Sequence, residues 1–163
     1  MSPTLRRAAL LAGLVLLVGC DHATKHVAKT ALEGQPPRPL IHGVLELRYT
    51  ENTDVAFNLL RAVPERVRSP PLVGLGGAAV LGLVGWLMLR RRALGVASLA
   101  LLLVTAGAVG NVLDRLVRGY VVDFVHVTHW PVFNVADAYV SVGGAVLLGL
   151  ALKARAAPPP TRA

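Results

Sequence analysis

The sequence predicts an all-α membrane protein of four transmembrane helices, with a small β platform of short strands outside the membrane between the first and second helices. The chain is too apolar for a soluble domain of its 163 residues, since 54% of them are hydrophobic, 16% are charged and the mean hydropathy is +0.57. Its apolar residues fall into four segments, and a polar, proline-rich segment separates the first from the others. We expect residues 1–163 to form one integral membrane domain.

The first predicted span covers about residues 8–28 and follows directly on Arg6 and Arg7. Residues 8–19 are all apolar, and with the continuation the helix reaches the ~20 residues that a bilayer requires. Charged and imidazole side chains occupy its last turns: Asp21, His22, Lys25 and His26. Because such groups are costly in lipid, we expect this end of the helix to face protein or water.

The β platform is predicted at about residues 40–62. Prolines mark both ends of the surrounding polar segment: Pro36, Pro37 and Pro39 on one side, and Pro64, Pro70 and Pro71 on the other. Between them, apolar residues partly alternate around residues 52–54, which is typical of two or three short strands.

The remaining spans are predicted at about residues 72–89, 93–113 and 136–154. The first two reach spanning length, and the last does so only with its polar flanks. Residues 156–163, which contain three consecutive prolines, are expected to be a disordered tail.

The orientation of the chain across the membrane is predicted from the very short loop between the second and third spans, which contains Arg90, Arg91 and Arg92. The positive-inside rule makes this loop cytoplasmic. Both termini are then cytoplasmic, while the β platform and residues 114–136 lie outside. The basic residues thus serve topology, so the net charge of +8 and the pI of about 10.8 do not indicate a nucleic-acid partner; no basic face with interleaved aromatics is present.

Polar side chains from distant parts of the chain fall at the same predicted outer boundary of the membrane. They are Asp21, Lys25, Asn52, Asp54, Asn111, Asp114, Arg115, Asp123, Asn134 and Asp137. Since polar groups are expensive in so apolar a chain, their convergence on one layer indicates an active site.

Several kinds of catalytic site find little support in the sequence. There is no His-Glu-x-x-His motif, and the i,i+4 pair His22 and His26 favours an ordinary interfacial pair over a metal site. Ser98 and Ser141 do not sit in a nucleophile-elbow pattern. Cys20 is the only cysteine, which excludes an internal disulfide, and it lacks a partner signature beyond His22.

Carboxylates remain as the candidates. Two neighbouring aspartates cannot both ionise cheaply, so one keeps a proton while the other acts as a base toward water. The residues alone leave structural alternatives open: Asp137 can stabilise the N-terminus of the fourth helix, with Asn134 as its cap, and Asp123 can be a loop acid. The neighbouring residues Asp114 and Arg115 are more typical of a structural charge pair at the end of a helix than of a catalytic site. This reasoning names acids but does not identify the pair.

Five motifs resemble those of lipoprotein signal peptidase (signal peptidase II), in the family's order and over most of the chain. The family patterns are Asp-x-x-Thr-Lys, Asn-x-Gly-x-Ala-Phe, Gly-x-x-Gly-Asn-x-x-Asp-Arg and two catalytic boxes. The matching segments are Asp21-His22-Ala23-Thr24-Lys25, Asn52-Thr53-Asp54-Val55-Ala56-Phe57, Gly107-Ala108-Val109-Gly110-Asn111-Val112-Leu113-Asp114-Arg115, Val121-Val122-Asp123-Phe124 and Phe133-Asn134-Val135-Ala136-Asp137.

The resemblance implies a membrane aspartic endopeptidase whose catalytic residues are Asp123 and Asp137. It would remove signal peptides from prolipoproteins, cutting just before the diacylglyceryl-modified cysteine, without a metal, cofactor or covalent intermediate. The implied substrate-binding residues are Asn52, Asn111, Arg115 and Asn134, and the implied supporting residues are Asp21, Lys25 and Asp114. The expected setting is the bacterial cytoplasmic (inner) membrane, with the active site at its outer boundary. The expected partners are lipid-modified prolipoproteins and membrane lipids, and the expected state is a monomer.

The chain departs from the family patterns at three positions. Asp54 stands where the family usually has glycine, His22 replaces a frequent glutamine, and Ala106 replaces the first glycine of a Gly-Gly pair. These changes affect the expected loop details more than the chemistry.

Two other functions compete with this interpretation. Arg6 and Arg7, the apolar run and the ending Gly19-Cys20 resemble a lipoprotein signal peptide, which would make the chain a lipid-anchored protein modified at Cys20. Three further apolar segments after Cys20 disfavour this, because the mature part of a lipoprotein should be soluble. A small transporter would account for the spans but not for five ordered motifs.

Overall fold

The structure, a computed structural model, describes residues 2–53, 76–80, 82–86 and 94–156. Three long helices, one shorter apolar helix and a three-stranded sheet make up these parts of the chain. The helices are α1 (Pro3–Leu32), α2 (Gly76–Trp86), α3 (Val96–Arg118) and α4 (Val135–Ala156), and the strands are β1 (Arg38–Ile41), β2 (Leu45–Asn52) and β3 (Val121–Val127).

Helices α1, α3 and α4 are long and apolar enough to cross a membrane, with 30, 23 and 22 residues. Their outward surfaces carry large apolar side chains, such as Val15 (72% exposed) and Val117 (80% exposed). Lipid is the natural cover for such surfaces. Helix α2 is shorter than a span; the rest of the predicted second span, and the three arginines used for orientation, lie outside the described residues.

Local chemistry sets the helix ends. The hydroxyl of Ser2 accepts the N–H of Leu5 at 3.2 Å, and proline follows as the first residue of α1. Helix α3 ends at Gly119, whose φ of 82° is in the left-handed region that favours glycine. The N–H of Gly119 donates to the carbonyl of Arg115 at 3.2 Å.

Helices α3 and α4 pack closely because small residues face each other where they meet. A Cβ atom added to Gly107 would collide with the backbone of Ala136, and one added to Gly143 would lie 2.5 Å from the carbonyl oxygen of Ala100. Small residues let helices in a membrane approach closely. This contact fixes the start of α4 beside the middle of α3.

The sheet has the order β1-β2-β3, with both pairs antiparallel. Gly43, with a φ of 71°, lies in the turn between β1 and β2. The third strand comes from the stretch after α3, for which the sequence analysis predicted no strand. The predicted strand residues after position 53 lie outside the described residues.

Apolar contacts hold the sheet against the end of α1. Val122 of β3 is fully buried and packs with Ala28 and Leu32. Because side chains alternate along a strand, Asp123 points to the opposite face from Val122. The fold thus turns Asp123 away from this apolar cluster.

Candidate active site

Asp123 lies on β3 with only 2% of its surface exposed. Its Oδ2 accepts a hydrogen bond from Asn52 Nδ2 at 2.8 Å, and its Oδ1 accepts one from Asn134 Nδ2 at 2.6 Å. Asn52 is in place because β2 pairs with β3 so that Thr50 lies opposite Asp123 and Asn52 lies two residues further along the same face.

Asp137 lies in the first turn of α4 and forms a reciprocal cap with Asn134. The N–H of Asp137 donates to Asn134 Oδ1 at 3.0 Å, and the N–H of Asn134 donates to Asp137 Oδ2 at 3.1 Å. This is the geometry of a capping box. The second oxygen, Oδ1, accepts from Asn111 Nδ2 on α3 at 2.9 Å. Asp137 therefore caps its helix and also contacts α3.

Asn134 connects the two aspartates. Its side-chain nitrogen donates to Asp123 and its backbone N–H donates to Asp137. All four carboxylate oxygens of the pair accept a hydrogen bond from an amide group, and three asparagines supply these donors. The structure thus brings together two carboxylates that are fourteen residues apart in the chain, one on a strand and one on a helix.

Burial raises the pKa of Asp123 from its ordinary value of 3.8 to about 6. The hydrogen bonds from Asn52 and Asn134 act in the opposite direction, and the negative charge of Asp137 adds to the rise. The carboxyl group of Asp123 can therefore hold a proton close to neutral pH, where an ordinary aspartate is fully ionised.

A buried ion cluster adjoins the pair. The Lys25 ammonium on α1 is completely buried and lies 2.8 Å from both Asp21 Oδ2 and Asp114 Oδ2. It also donates to Asn111 Oδ1 at 2.9 Å. On the other side of the cluster, Arg118 donates to Asp114 Oδ1 at 2.7 Å.

Arg115 stands one helical turn after Asn111 and donates from Nη1 to the Asn111 carbonyl at 3.2 Å. The charges of Asp123 and Asp137 both act on its guanidinium group. Arg115 thus brings a positive charge close to the two carboxylates.

A cavity of about 230 Å³ opens beside Asp123. It is lined by Thr50, Glu51, Asn52, Thr53, Asp123, Pro131 and Val132. The Asp123 carboxylate therefore borders a cavity on the side of the sheet.

Comparison with known proteins identifies the family of this chain. The sequence model of signal peptidase (SPase) II matches residues 13–153. The lipoprotein signal peptidase of Ralstonia nicotianae is 40% identical over 139 residues, which cover 82% of this chain and 78% of that protein. The protein of the same name from Geobacter sulfurreducens is 35% identical over 154 residues, covering 90% and 92% of the two chains.

The chain belongs to the signal peptidase II family.

Two solved structures, both titled as bacterial membrane enzymes, have a similar fold. One superimposes with a TM-score of 0.79 at 21% identity and covers 96% of this chain and 94% of that one. The other has a TM-score of 0.74 at 23% identity and covers 90% and 94%. As a member of the signal peptidase II family, the chain is a bacterial membrane peptidase.

The residues that the sequence analysis selected fall into two connected groups. Asn52, Asn111, Asn134, Asp123 and Asp137 form one network, and Asp21, Lys25 and Asp114 form the ion cluster that joins it through Asn111. Asp54 lies outside the described residues.

The sequence analysis did not single out Arg118. It pairs with Asp114 four residues earlier on α3, and the i,i+4 spacing of opposite charges was the available signal. The backbone N–H of Ala136, which donates to Asp21 Oδ1 at 2.9 Å, left no signal in the sequence.

Proposed function

We propose that this protein is an aspartic endopeptidase that removes signal peptides from lipid-modified prolipoproteins, cutting just before the diacylglyceryl cysteine, with Asp123 and Asp137 as its catalytic residues. One observation carries the proposal: two carboxylates from separate elements are held on either side of Asn134, with every oxygen accepting from a neutral amide. The family's members named above are lipoprotein signal peptidases, which supports the substrate class.

The proposed chemistry is general acid-base catalysis by the pair. The ionised aspartate takes a proton from water, the water attacks the scissile carbonyl carbon, and the protonated aspartate donates its proton to the carbonyl oxygen. A proton then returns to the leaving amine as the C–N bond breaks. The raised pKa of Asp123, about 6, supports its holding the shared proton near neutral pH.

The remaining site residues bind the substrate in this proposal. Asn52 lines the cavity beside Asp123, and its side chain can bind the peptide as well as the carboxylate. Arg115 supplies positive charge close to the carbonyl oxygen on which negative charge develops. Asn111 and Asn134 hold the two aspartates in position relative to the cavity and to Arg115.

The proposed setting is the inner membrane, with four spans, both termini in the cytoplasm and the pair at the outer boundary. The positions of Asp123 just after α3 and Asp137 at the start of α4 support a common membrane level for the pair. A substrate could then keep its acyl chains in the bilayer while its cut site reaches the aspartates. The whole network comes from one chain, so we propose that a monomer suffices.

Cleavage of a synthetic lipidated precursor by the purified protein tests the proposal. We expect the wild type to release the signal peptide, as detected by mass spectrometry, and the variants Asp123→Asn and Asp137→Asn to lose this activity while remaining folded. Glu46→Gln is the matched control, because it neutralises a carboxylate that pairs with His126 on the sheet instead. Turnover near the wild-type rate by either Asn variant would refute the assignment.

The same experiment addresses the chief rival. A lipoprotein modified at Cys20 would lose its first 19 residues and carry acyl chains, which an intact-mass measurement detects. The continuous helix α1 across Cys20 and the family match from residue 13 do not favour that rival.

A further inference from the structure

The Asn111 side chain lies between the buried ion cluster and the aspartate pair. Its Oδ1 accepts from Lys25 Nζ at 2.9 Å, and its Nδ2 donates to Asp137 Oδ1 at 2.9 Å. Asn134 Nδ2 also donates to Asn111 Oδ1, at 3.3 Å. Asn111 thus faces donors on one side and an acceptor on the other.

The ammonium group of Lys25 determines the orientation of the Asn111 carboxamide. The two ends of an asparagine side chain have nearly the same shape, and only their partners distinguish them. An ammonium group has three donors and no acceptor, so the Asn111 atom beside Lys25 must be the oxygen. If the amide were turned over, its nitrogen would face the ammonium group and its oxygen would face the Asp137 carboxylate. Both contacts would be repulsive.

We propose that Lys25 is a positioning residue for the reaction: by fixing the orientation of the Asn111 carboxamide, it keeps an N–H donor on Asp137 and holds that carboxylate in its working position. The inference rests on the proposed function, since it assumes that Asp137 is catalytic. Lys25 acts through Asn111 and does not touch the reacting atoms itself.

The ion cluster is built to hold Lys25 in one place. Its ammonium group is fully buried between Asp21 and Asp114, with 2.8 Å contacts to both. Asp21 also accepts the N–H of Ala136 through its other oxygen, at 2.9 Å. The cluster therefore holds the residue next to Asp137 along the backbone as well as the amide that contacts its side chain.

A test must separate this role from a purely structural one. Lys25→Met alone would leave the buried carboxylate of Asp21 without its charged partner, which is strongly destabilising. The double variant Lys25→Met/Asp21→Asn avoids this, because it removes one charge of each sign. Asp114 keeps its ion pair with Arg118, and the Asn side chain keeps an oxygen for the N–H of Ala136. What is lost is the charged and shorter of the two hydrogen bonds to Asn111 Oδ1, at 2.9 Å, while the one from Asn134 at 3.3 Å remains.

We expect this double variant to lower kcat for the lipidated precursor by roughly 10- to 100-fold, the range expected when a catalytic group is displaced by up to about 1 Å. KM should stay within about twofold of the wild-type value, because the cavity beside Asp123 is unchanged. Arg118→Gln is the matched control. It breaks another ion pair of the same cluster without contacting Asn111, so it should leave kcat within about twofold of the wild-type value.

A second variant, Asn111→Asp, tests the orientation directly and leaves Lys25 in place. An aspartate presents oxygen to Lys25, as the asparagine does, but replaces the N–H that faces Asp137 with a second oxygen. We expect a folded protein with kcat at least 100-fold lower.

Loss of kcat in both variants, with the control unaffected, supports the inference. Wild-type kcat in either variant, or an equal loss in Arg118→Gln, overturns it. Should the double variant fail to fold, Asn111→Asp and the control decide the matter between them. A wild-type protein that cleaves nothing counts against the proposed function, whereas an active wild type with a fully active Lys25→Met/Asp21→Asn variant counts against the role of Lys25 alone.

Discussion

Replacing Asp123 by asparagine should make the stability of the protein less dependent on pH while removing its proposed activity. The carboxyl group is 2% exposed, and burial raises its pKa to about 6. A raised pKa means that the folded state favours the protonated form. Ionising Asp123 therefore costs folding free energy. Asparagine carries no charge and removes that cost, but its side-chain nitrogen must face one of the donors Asn52 and Asn134, and this mismatch costs the same at every pH.

The magnitude follows from the two pKa values. The folded value of about 6 exceeds the ordinary value of 3.8 by about 2, and each pKa unit corresponds to about 1.4 kcal/mol. Ionised Asp123 thus lowers the free energy of unfolding by about 3 kcal/mol. Below pH 4 the carboxyl is protonated in both the folded and the unfolded states, and the cost is absent. It grows as the pH rises from about 4 to 6 and is complete above that range.

The assay is reversible unfolding in mixed detergent micelles, followed by tryptophan fluorescence at pH 4, 6 and 8. We expect the stability of Asp123→Asn relative to the wild type to be about 2 to 3 kcal/mol greater at pH 8 than at pH 4. Glu46→Gln is the control, since it removes a half-exposed pair and should cost less than about 1 kcal/mol. A stability difference between Asp123→Asn and the wild type that is the same at pH 4 and pH 8 would refute the reasoning.

Two further predictions concern the packing and the ion cluster. Gly107→Ala should lower the free energy of unfolding by about 1 to 3 kcal/mol, because its Cβ would collide with α4; Gly144→Ala, with no atom within 4 Å of the added Cβ, should not destabilise, and equal losses at the two positions would contradict the close packing. Lys25→Met should cost about 3 to 5 kcal/mol, and the added Asp21→Asn should restore most of it; a double variant as unstable as the single one would show that the two charges do not compensate each other. Both comparisons use the same unfolding assay.

The lengths of the apolar segments predicted most of the helical fold. Helices α1, α3 and α4 coincide with three of the four predicted spans, although each extends beyond the predicted bounds. Helix α1 reaches Leu32 because its polar last turns find partners within the protein: Lys25 pairs with Asp21 and Asp114, and the apolar residues Ala28 and Leu32 pack on the sheet. Hydropathy predicts the part of a helix that lipid can cover, but it does not predict the turns that pack against other parts of the protein.

Strand β3 could not be located by the same reasoning. Its residues Val121–Val127 are rich in β-branched side chains, which is a strand signal, but the residues of β2 with which it pairs lie 69 to 82 positions earlier in the chain. A central position for Asp123 in a strand is also unusual, since aspartate is depleted in strands. The hydrogen bonds from Asn52, which the pairing with β2 places beside Asp123, and from Asn134 explain the exception.

The candidate site could also be predicted only in part from the sequence. Sequence reasoning alone left Asp137 open as a helix cap, and in the structure Asp137 does cap α4, through Asn134. The cap and the proposed catalytic role are compatible, because the same hydrogen bonds that begin the helix also bring Asn134 to Asp123. A one-dimensional pattern cannot show that one residue serves both purposes, so the motif resemblance was needed to select the pair.

The hydrogen-bond donors to the two aspartates are neutral asparagines, and charged donors in their place would change the protonation of the pair. A lysine or arginine bonded directly to each carboxylate would favour the ionised form of both, and two ionised aspartates hold no proton for the carbonyl oxygen of the substrate. Neutral amides can fix all four oxygens while leaving one proton to be shared. The buried charge of Lys25 is kept one side chain away from Asp137, with Asn111 between them. The amide passes on the orientation that the ammonium group imposes without placing its charge against the carboxylate. A buried cation can therefore lie close to a pair that, in the proposed mechanism, must retain a proton.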